Sequence, residues 1–143
     1  MKKILFVLTL SLTLSCSVPK IILLEDPLTA EEHINLGYVY EIKGNLKLAE
    51  EEYKKAIKKD KKLWKAHFNL GNVYAKQERY SEAEREYRRA LEINPNEPDI
   101  LNNLAWVLNK QGRKEEALEA IKKAISIRDE DTYRETLKEI EGR

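Results

Sequence analysis

The sequence predicts an all-α protein in which three helical hairpins stack on one another and a last helix caps the stack. Composition supports this, because five Gly and four Pro among 143 residues are too few turn formers for a sandwich or barrel of strands. Repetition supports it too. A motif recurs at a constant spacing, as Asn35-Leu36-Gly37, Asn69-Leu70-Gly71 and Asn103-Leu104-Ala105. Such a period is typical of repeats that bury their apolar faces only by stacking.

Length, charge and cysteine content exclude several classes of protein. The length fits one compact domain. The 26 Lys and Arg are interspersed with 25 Asp and Glu, so no basic stripe exists and nucleic acid is not an expected partner. The single Cys excludes a disulfide framework within the chain and any zinc site that needs several thiolates.

The first residues have the pattern of an export signal. Lys2 and Lys3 precede an apolar run from Ile4 to Leu14. These eleven residues would extend about 16 Å as a helix, well short of the roughly 30 Å hydrocarbon core. We therefore predict a signal peptide over residues 1–15.

The end of this segment, Leu14-Ser15-Cys16 with Leu12 upstream, resembles the lipobox of bacterial lipoproteins. The resemblance implies that Cys16 receives a lipid, that cleavage follows Ser15, and that the protein is exported and lipid-anchored to a bacterial membrane. Ser17 resembles the residue that permits sorting to the outer membrane, where the protein would face the periplasm. An ordinary signal peptide cleaved after Ser15 or Ser17, and an uncleaved short anchor, remain alternatives.

Residues 16–28 are predicted to be a tether. Pro19 and Pro27 disfavour helix around them, and a short apolar run, Ile21–Leu24, lies between them. Two roles remain open for this run: packing along the first hairpin, or contact with the lipid surface.

The same spacing extends through both helices of each copy. Besides the Asn-Leu-Gly motif, the repeating columns are Tyr40/Tyr74/Leu108, Ala49/Ala83/Ala117, Tyr53/Tyr87/Ile121 and Ala56/Ala90/Ala124. Breaks near Gly44, Glu78 and Gly112 divide each copy into two helical segments. Small residues are expected where helices approach most closely, and large ones fill the gaps beside them.

These columns resemble the tetratricopeptide repeat (TPR) family. The resemblance covers residues 29–128 as three repeats, 30–63, 64–97 and 98–128, with Pro95 at the helix-breaking position that the family prefers. It implies a right-handed superhelical stack, an α-solenoid, followed by a capping helix within residues 129–143.

Local signals predict where helices begin. Thr29 to Glu32 and Ser81 to Glu84 have the spacing of capping boxes. Thr132 to Glu135 has the same spacing and would start the last helix, with an apolar face made of Tyr133, Leu137 and Ile140.

In this family the first helix of each repeat lines a concave groove, which implies a binding surface here. We predict as its peptide-binding residues Asn35, Tyr38, Phe68, Asn69, Asn72, Asn102, Asn103 and Trp106. The wider row on the same face includes Glu31, Ile34, Glu41, Lys65, Lys76, Asp99 and Asn109. An Asn side chain can pair with both the N–H and the C=O of a peptide unit, and aromatic rings can hold guest side chains.

Some members of the family grip a peptide's carboxyl terminus with basic and amide residues, and this clamp is not predicted here. The positions concerned hold Ile34, Tyr38, Asn69, Asp99 and Asn103, of which only Asn69 matches the clamp. Chaperone tails are therefore not the expected ligand.

No catalytic site, metal site or cofactor is predicted. His33 and His67 are one repeat apart, about 10 Å, which is too far to share a metal at ligand distances of about 2 Å. We predict that they are packing residues. No nucleotide-binding, metalloprotease or serine-hydrolase motif is present, and a lipidated Cys16 would offer no free thiol.

The sequence thus favours a membrane-anchored, non-enzymatic adaptor of the bacterial cell envelope. It would bind an extended peptide or a partner protein in its groove, with no small-molecule substrate. The alternative is a structural subunit of an envelope complex, such as a pilus, secretion or outer-membrane assembly, that self-associates into a homo-oligomer without a specific peptide ligand.

Overall fold

The computed structural model describes residues 26–142, so the predicted signal peptide, Cys16 and most of the tether lie outside the described residues. Within that range the chain forms helices and no strand. They are α1 (Ala30–Ile42), α2 (Leu46–Lys59), α3 (Trp64–Lys76), α4 (Tyr80–Ile93), α5 (Pro98–Lys110), α6 (Lys114–Ile127) and α7 (Asp131–Glu141). The predicted all-α repeat fold is confirmed.

The helices form three equivalent hairpins with one continuous core. Three-residue turns join each first helix (α1, α3, α5) to its second helix (α2, α4, α6). Each of α2 and α4 also packs against the first helix that follows it, and α7 packs against α6 and α5. The apolar face of a hairpin is therefore buried by its neighbour, as the repeat predicted. None of the helices in residues 26–142 is long and apolar enough to cross a membrane.

The capping box predicted at Thr29 is confirmed. The Thr29 backbone N–H donates to Glu32 Oε2 at 2.7 Å, and the Glu32 N–H donates to Thr29 Oγ1 at 3.2 Å. These two hydrogen bonds satisfy amides at the start of α1 that have no partner within the helix.

The capping box predicted at Ser81 is wrong, because α4 begins at Tyr80 and Ser81 lies inside its first turn. The preceding turn sets this start. Glu78 adopts a left-handed conformation (φ 59°), as Gly44 and Gly112 do in the other hairpins. The Arg79 N–H then donates to the Tyr74 carbonyl at 2.9 Å, and the chain enters α4 without a side-chain cap.

The last helix also begins before its predicted box. It starts at Asp131, and Glu130, not Thr132, precedes it. Its predicted apolar face is confirmed, since Tyr133 and Ile140 are buried and Leu137 is half-buried against the core. The helix thus covers the third hairpin with one apolar side and a charged outer side.

Two glycines set how closely the helices of a hairpin approach. A Cβ atom on Gly37 would lie 2.6 Å from Tyr53 Cε1, and one on Gly71 would lie 2.6 Å from Tyr87 Cε1. In the third copy the same columns hold Ala105 and Ile121, both fully buried. In this column, alanine therefore replaces glycine only where the aromatic ring opposite is replaced by a smaller side chain.

An arginine clamp links successive second helices and recurs with the repeat. Arg79 Nη1 lies 2.8 Å from Glu50 Oε2, and one repeat later Arg113 Nη1 lies 2.6 Å from Glu84 Oε2. Burial opposes ionisation of Glu50, but Lys54 and Arg79 hold the pKa of its carboxyl below the ordinary value. Both arginines come just before a second helix, so each clamp fixes one hairpin against the previous one.

The two histidines are paired with glutamates from the second helix of their own hairpin. His33 Nδ1 lies 2.7 Å from Glu52 Oε2, and His67 Nδ1 lies 2.8 Å from Glu86 Oε2. Burial raises the pKa of the Glu86 carboxyl, but the hydrogen bond and charge of His67 outweigh this and leave it below its ordinary value. These pairs join the two helices of a hairpin near the entry of the first helix.

We expect Gly71→Ala to destabilise the fold by about 1–2 kcal/mol, because overpacking costs more than the gain in helix propensity. Combining it with Tyr87→Ile reproduces the pair found in the third copy. Urea unfolding of both single variants and the double variant measures the coupling. The double variant should lose less stability than the two single losses added together, and strict additivity would contradict the close-approach explanation.

We expect His67→Leu alone to cost about 1–3 kcal/mol, because it leaves the largely buried Glu86 carboxylate with only the exposed Arg85 as a partner, at 3.3 Å. The double variant His67→Leu/Glu86→Ala copies the third repeat, which holds Leu101 and Ala120 in these columns. It should unfold closer to the wild type in urea, since an apolar pair can replace a buried ion pair at little cost. A double variant less stable than the single one would refute this.

The same pair predicts a pH dependence. Because the folded pKa of Glu86 lies below its ordinary value of 4.5, its contribution is complete above pH 4.5 and is lost as the pH falls through the folded pKa. As the pH falls from about 6 to about 3, the free energy of unfolding should therefore decrease more for the wild type than for the double variant. Parallel pH profiles from chemical unfolding would contradict this assignment.

Candidate functional site

An open cleft of about 390 Å³ lies where the first helices meet α7. Its lining is Glu41, Asn72, Ala75, Lys76, Tyr87, Asn102, Asn103, Trp106 and Thr136. It includes four of the eight predicted groove residues, namely Asn72, Asn102, Asn103 and Trp106. The cleft draws side chains from all three repeats and from the capping helix, so only the complete stack forms it.

A chain of hydrogen-bonded amides forms the floor of the cleft. The Tyr87 hydroxyl and Asn103 Nδ2 both donate to Asn72 Oδ1, at 2.8 and 2.9 Å. Asn102 Nδ2 donates to Asn103 Oδ1 at 3.2 Å. Because Asn72 Oδ1 receives two donors, its NH₂ group is oriented away from them and can donate to a guest. Asn102 Oδ1 is buried and accepts no hydrogen bond from the described residues.

Glu41 at one side of the cleft joins the first two repeats. The Tyr53 hydroxyl donates to Glu41 Oε2 at 2.8 Å, and Lys76 Nζ lies 2.6 Å from Glu41 Oε1. Burial, reinforced by Glu41, raises the pKa of Tyr53, and burial also raises that of Tyr87. Both hydroxyls are therefore neutral donors at physiological pH, and the Glu41 carboxylate is balanced by a lysine.

Trp106 supplies the aromatic wall of the cleft. Its ring meets Tyr80 edge to face, with centroids 5.9 Å apart, and Lys110 Nζ lies 4.9 Å from its centroid. The ring is half-buried against the core, which leaves part of it open to the cleft. A half-buried ring that lines the cleft suits a guest's apolar side chain.

The other four predicted residues do not line this cleft. Asn35 and Tyr38 are exposed on α1, with Tyr38 at 57% exposure, and Asn69 is half-buried on α3. Phe68 is packed into an aromatic cluster, 6.3 Å from Trp64 and 6.1 Å from Tyr87 between ring centroids. Their role in binding stays a prediction.

The assignment of Ile34 to the wider row of groove residues is wrong. Ile34 is buried at 8% exposure and belongs to the hydrophobic core, so it does not face the groove. Gly37 follows Ile34 along α1 and approaches Tyr53 of α2 closely. This side of α1 therefore faces α2.

Sequence reasoning missed three residues of the cleft. Tyr87 was assigned to packing, which its ring performs, but its hydroxyl reaches the cleft. The signal was a Tyr instead of a Phe in a buried column, because a buried hydroxyl needs a partner. Ala75 was missed because its small side chain gives no sign of a binding role. Thr136 was missed because it belongs to α7, whose sequence does not align with the three repeats.

No part of residues 26–142 brings together three His, Cys, Asp or Glu side chains that could hold a metal ion. The buried histidines each pair through Nδ1 with a glutamate, in agreement with a packing role. The arrangement can donate and accept hydrogen bonds and can cover an apolar side chain, which is the chemistry of a binding site.

Comparison with solved structures identifies close likenesses of fold. One is the first TPR of Spaghetti (RPAP3) bound to the HSP90 peptide SRMEEVD, with a TM-score of 0.78, 17% identity, and coverage of 82% of this chain and 94% of that chain. Another is YrrB, a TPR protein with an unusual peptide-binding site, with a TM-score of 0.72 and 27% identity. That match covers 78% of this chain and 58% of the YrrB chain. No curated protein matches the sequence significantly.

Two family models match the sequence. A tetratricopeptide repeat model matches residues 63–130, and a TPR repeat model matches residues 37–78. Together the matches span residues 37–130, well over half of the 143 residues. This chain belongs to the tetratricopeptide repeat family.

Proposed function

We propose that this protein is an adaptor that binds an extended peptide, or an extended segment of a partner protein, in the cleft over Asn72, Asn103 and Trp106. The observation that carries the proposal is the oriented amide chain beside the half-buried ring of Trp106. A protein-interaction role is supported by the family and by the similar structure of YrrB, a TPR protein with an unusual peptide-binding site.

The cleft suits the backbone of a guest peptide. An extended peptide offers an N–H and a C=O group at each residue, spaced by roughly 3.3–3.6 Å. The Asn72 NH₂ group can donate to a guest carbonyl, and Asn102, whose Oδ1 lacks a partner among the described residues, can accept from a guest N–H after a side-chain rotation. Trp106 then covers an apolar guest side chain beside them.

The charges around the cleft are already paired, which argues against recognition of a carboxyl terminus. Lys76 pairs with Glu41, and Lys110 pairs with Glu139 at 2.8 Å. At a position where a carboxyl clamp needs a lysine, Asp99 instead pairs with Arg128 at 2.8 Å. We therefore propose a guest that is recognised through its backbone and one apolar side chain. The likeness to the RPAP3 structure, at 17% identity, concerns the fold.

We further propose that the adaptor is exported and anchored through a lipid on Cys16, at the outer membrane of a bacterial envelope and facing the periplasm. The support is the sequence pattern of residues 1–17, with an apolar run of signal-peptide length ending at Leu14-Ser15-Cys16. Several buried acyl chains would anchor the protein firmly, at about 0.8 kcal/mol per methylene.

Metabolic labelling with an alkyne fatty acid in a bacterial host tests the anchor. The wild-type chain should take up label and remain in the membrane fraction, and Cys16→Ser should do neither. Cleavage without label in the wild type would instead indicate an ordinary signal peptide.

A phage-displayed library of linear peptides of about nine residues tests peptide binding, because a groove of three first helices is about 25 Å long. Selected peptides should bind the wild-type chain. Trp106→Ala and Asn103→Ala should each weaken the peptide affinity at least about tenfold, as measured by fluorescence anisotropy. Thermal unfolding of each variant confirms that the fold is retained.

Matched controls separate the cleft from the rest of the surface. Ile93→Ala removes an exposed apolar side chain at the end of α4, and Asn45→Ala removes an exposed amide that caps no helix. Both should leave peptide affinity unchanged. If the control substitutions weakened peptide binding equally, this would contradict the assignment of binding to the cleft. Selection of no peptide, with oligomers seen in light scattering, would favour the self-associating subunit instead.

A further inference from the structure

A hydrogen bond of the segment that connects the first two repeats recurs where the chain enters α1. Asp26 Oδ1 accepts the Leu28 N–H at 3.1 Å, and one repeat later Asp60 Oδ1 accepts the Lys62 N–H at 2.9 Å. Asp60 is the residue at which α2 ends before the chain continues into α3. The chain before α1 therefore shares one side-chain hydrogen bond with the segment that follows α2.

This turn is held in place by the first hairpin. Lys59 Nζ donates to the Asp26 carbonyl at 2.7 Å, and His33 Nε2 lies 2.9 Å from Asp26 Oδ2. The Leu28 N–H lowers the pKa of the Asp26 carboxyl. The point from which residues 1–25 extend is thus fixed at the entry of α1.

The side of α1 that faces away from α2 is left open by the described residues. Val39 is 42% exposed, whereas Val73 and Val107, its equivalents in α3 and α5, are completely buried. Those two first helices pack against the preceding second helix, α2 and α4 respectively. The residues described before α1 include no such helix, so an apolar surface remains that is shaped like an inter-repeat contact.

The residues just before Asp26 have the composition to cover that surface. Counting back one repeat from α2 reaches residues 12–25, which end directly at the turn. The apolar run Ile21–Leu24 stands in the columns that contain Ala56 and Ile57 in the first repeat. Only residues 25–29 separate this run from the start of α1.

We propose that Ile21–Leu24 docks on the open side of α1 in the position of the last turn of a second helix, with Leu23 against Leu36. The pairing follows from the repeats. Ile57 and Leu70 line one surface cavity, and their equivalents one repeat later, Leu91 and Leu104, line another. Moving Ile57 and Leu70 back by one repeat gives Leu23 and Leu36.

This docking orients the membrane anchor, a consequence that rests on the lipidation of Cys16 proposed above. Only residues 17–20 separate Cys16 from Ile21, so the lipid lies within roughly 18 Å of the docked run. The first repeat would then lie nearest the membrane, and the stack would extend away from it.

Disulfide trapping in the full chain carrying Cys16→Ser tests the contact. The test pair is Leu23→Cys with Leu36→Cys. The reference pair, Ile57→Cys with Leu70→Cys, is the equivalent pair within the described repeats, where both side chains line one surface cavity. The control pair joins Leu23→Cys to Tyr38→Cys, which lies on another side of α1 and is 57% exposed. Mild oxidation, non-reducing gels and peptide mass mapping measure closure.

The test pair should close within one chain to an extent within about twofold of the reference pair, and the control pair at least about tenfold less. Closure of the reference pair without the test pair would overturn the proposal. So would closure of the test pair only between chains, which would identify a second copy as the occupant.

A second measurement does not depend on disulfide geometry. In the same Cys16→Ser chain, Val39→Cys should react with a maleimide at least about fivefold more slowly when Leu23 is intact than when Leu23→Asp is added. Far-ultraviolet circular dichroism confirms that the repeats stay folded in both chains. Equal reaction rates would overturn the proposal.

Discussion

The close approach of a first helix to the tyrosine ring of its own second helix is the contact on which the rest of the structure depends. Gly37 and Gly71 leave no room for a side chain opposite Tyr53 and Tyr87. The rings are therefore held against the first helices, and their hydroxyls extend past them to Glu41 and Asn72. The packing constraint that sets the hairpin also orients the polar groups of the cleft.

Repetition spreads this arrangement along the chain, and its variation explains the differences between copies. The second repeat directs its tyrosine hydroxyl to an amide, Asn72, which then receives Asn103 from the third repeat. The first repeat directs its hydroxyl to a carboxylate, Glu41, which pairs with Lys76 of the second repeat. The third repeat has an isoleucine in the tyrosine column and contributes Trp106 to the cleft. One binding surface thus arises from three unlike copies.

Much of the fold could be predicted from the sequence, because the constant period places the same contacts in each copy. Asn72, Asn102, Asn103 and Trp106, which line the cleft, could be assigned to the groove through the resemblance to the family, whose first helices line it. The start of α4 could not, since it depends on the left-handed backbone of Glu78 and not on the nearby serine. The arginine clamps join residues 29 positions apart, beyond the range of the i,i+4 pairs that a helix sequence predicts. Thr136 comes from an element that does not repeat.

The amide chain over Asn72 and Asn103, with Trp106, is the surface that we propose receives a peptide. Titration of a nitrogen-15-labelled chain with a selected peptide, observed through its side-chain amide and indole signals by NMR, tests this most directly. The signals of Asn72, Asn102, Asn103 and Trp106 should shift, while those of Asn45 and Asn96, which lie outside the cleft, should stay unchanged. Shifts confined to Asn45, Asn96 or the outer faces of the second helices would contradict it.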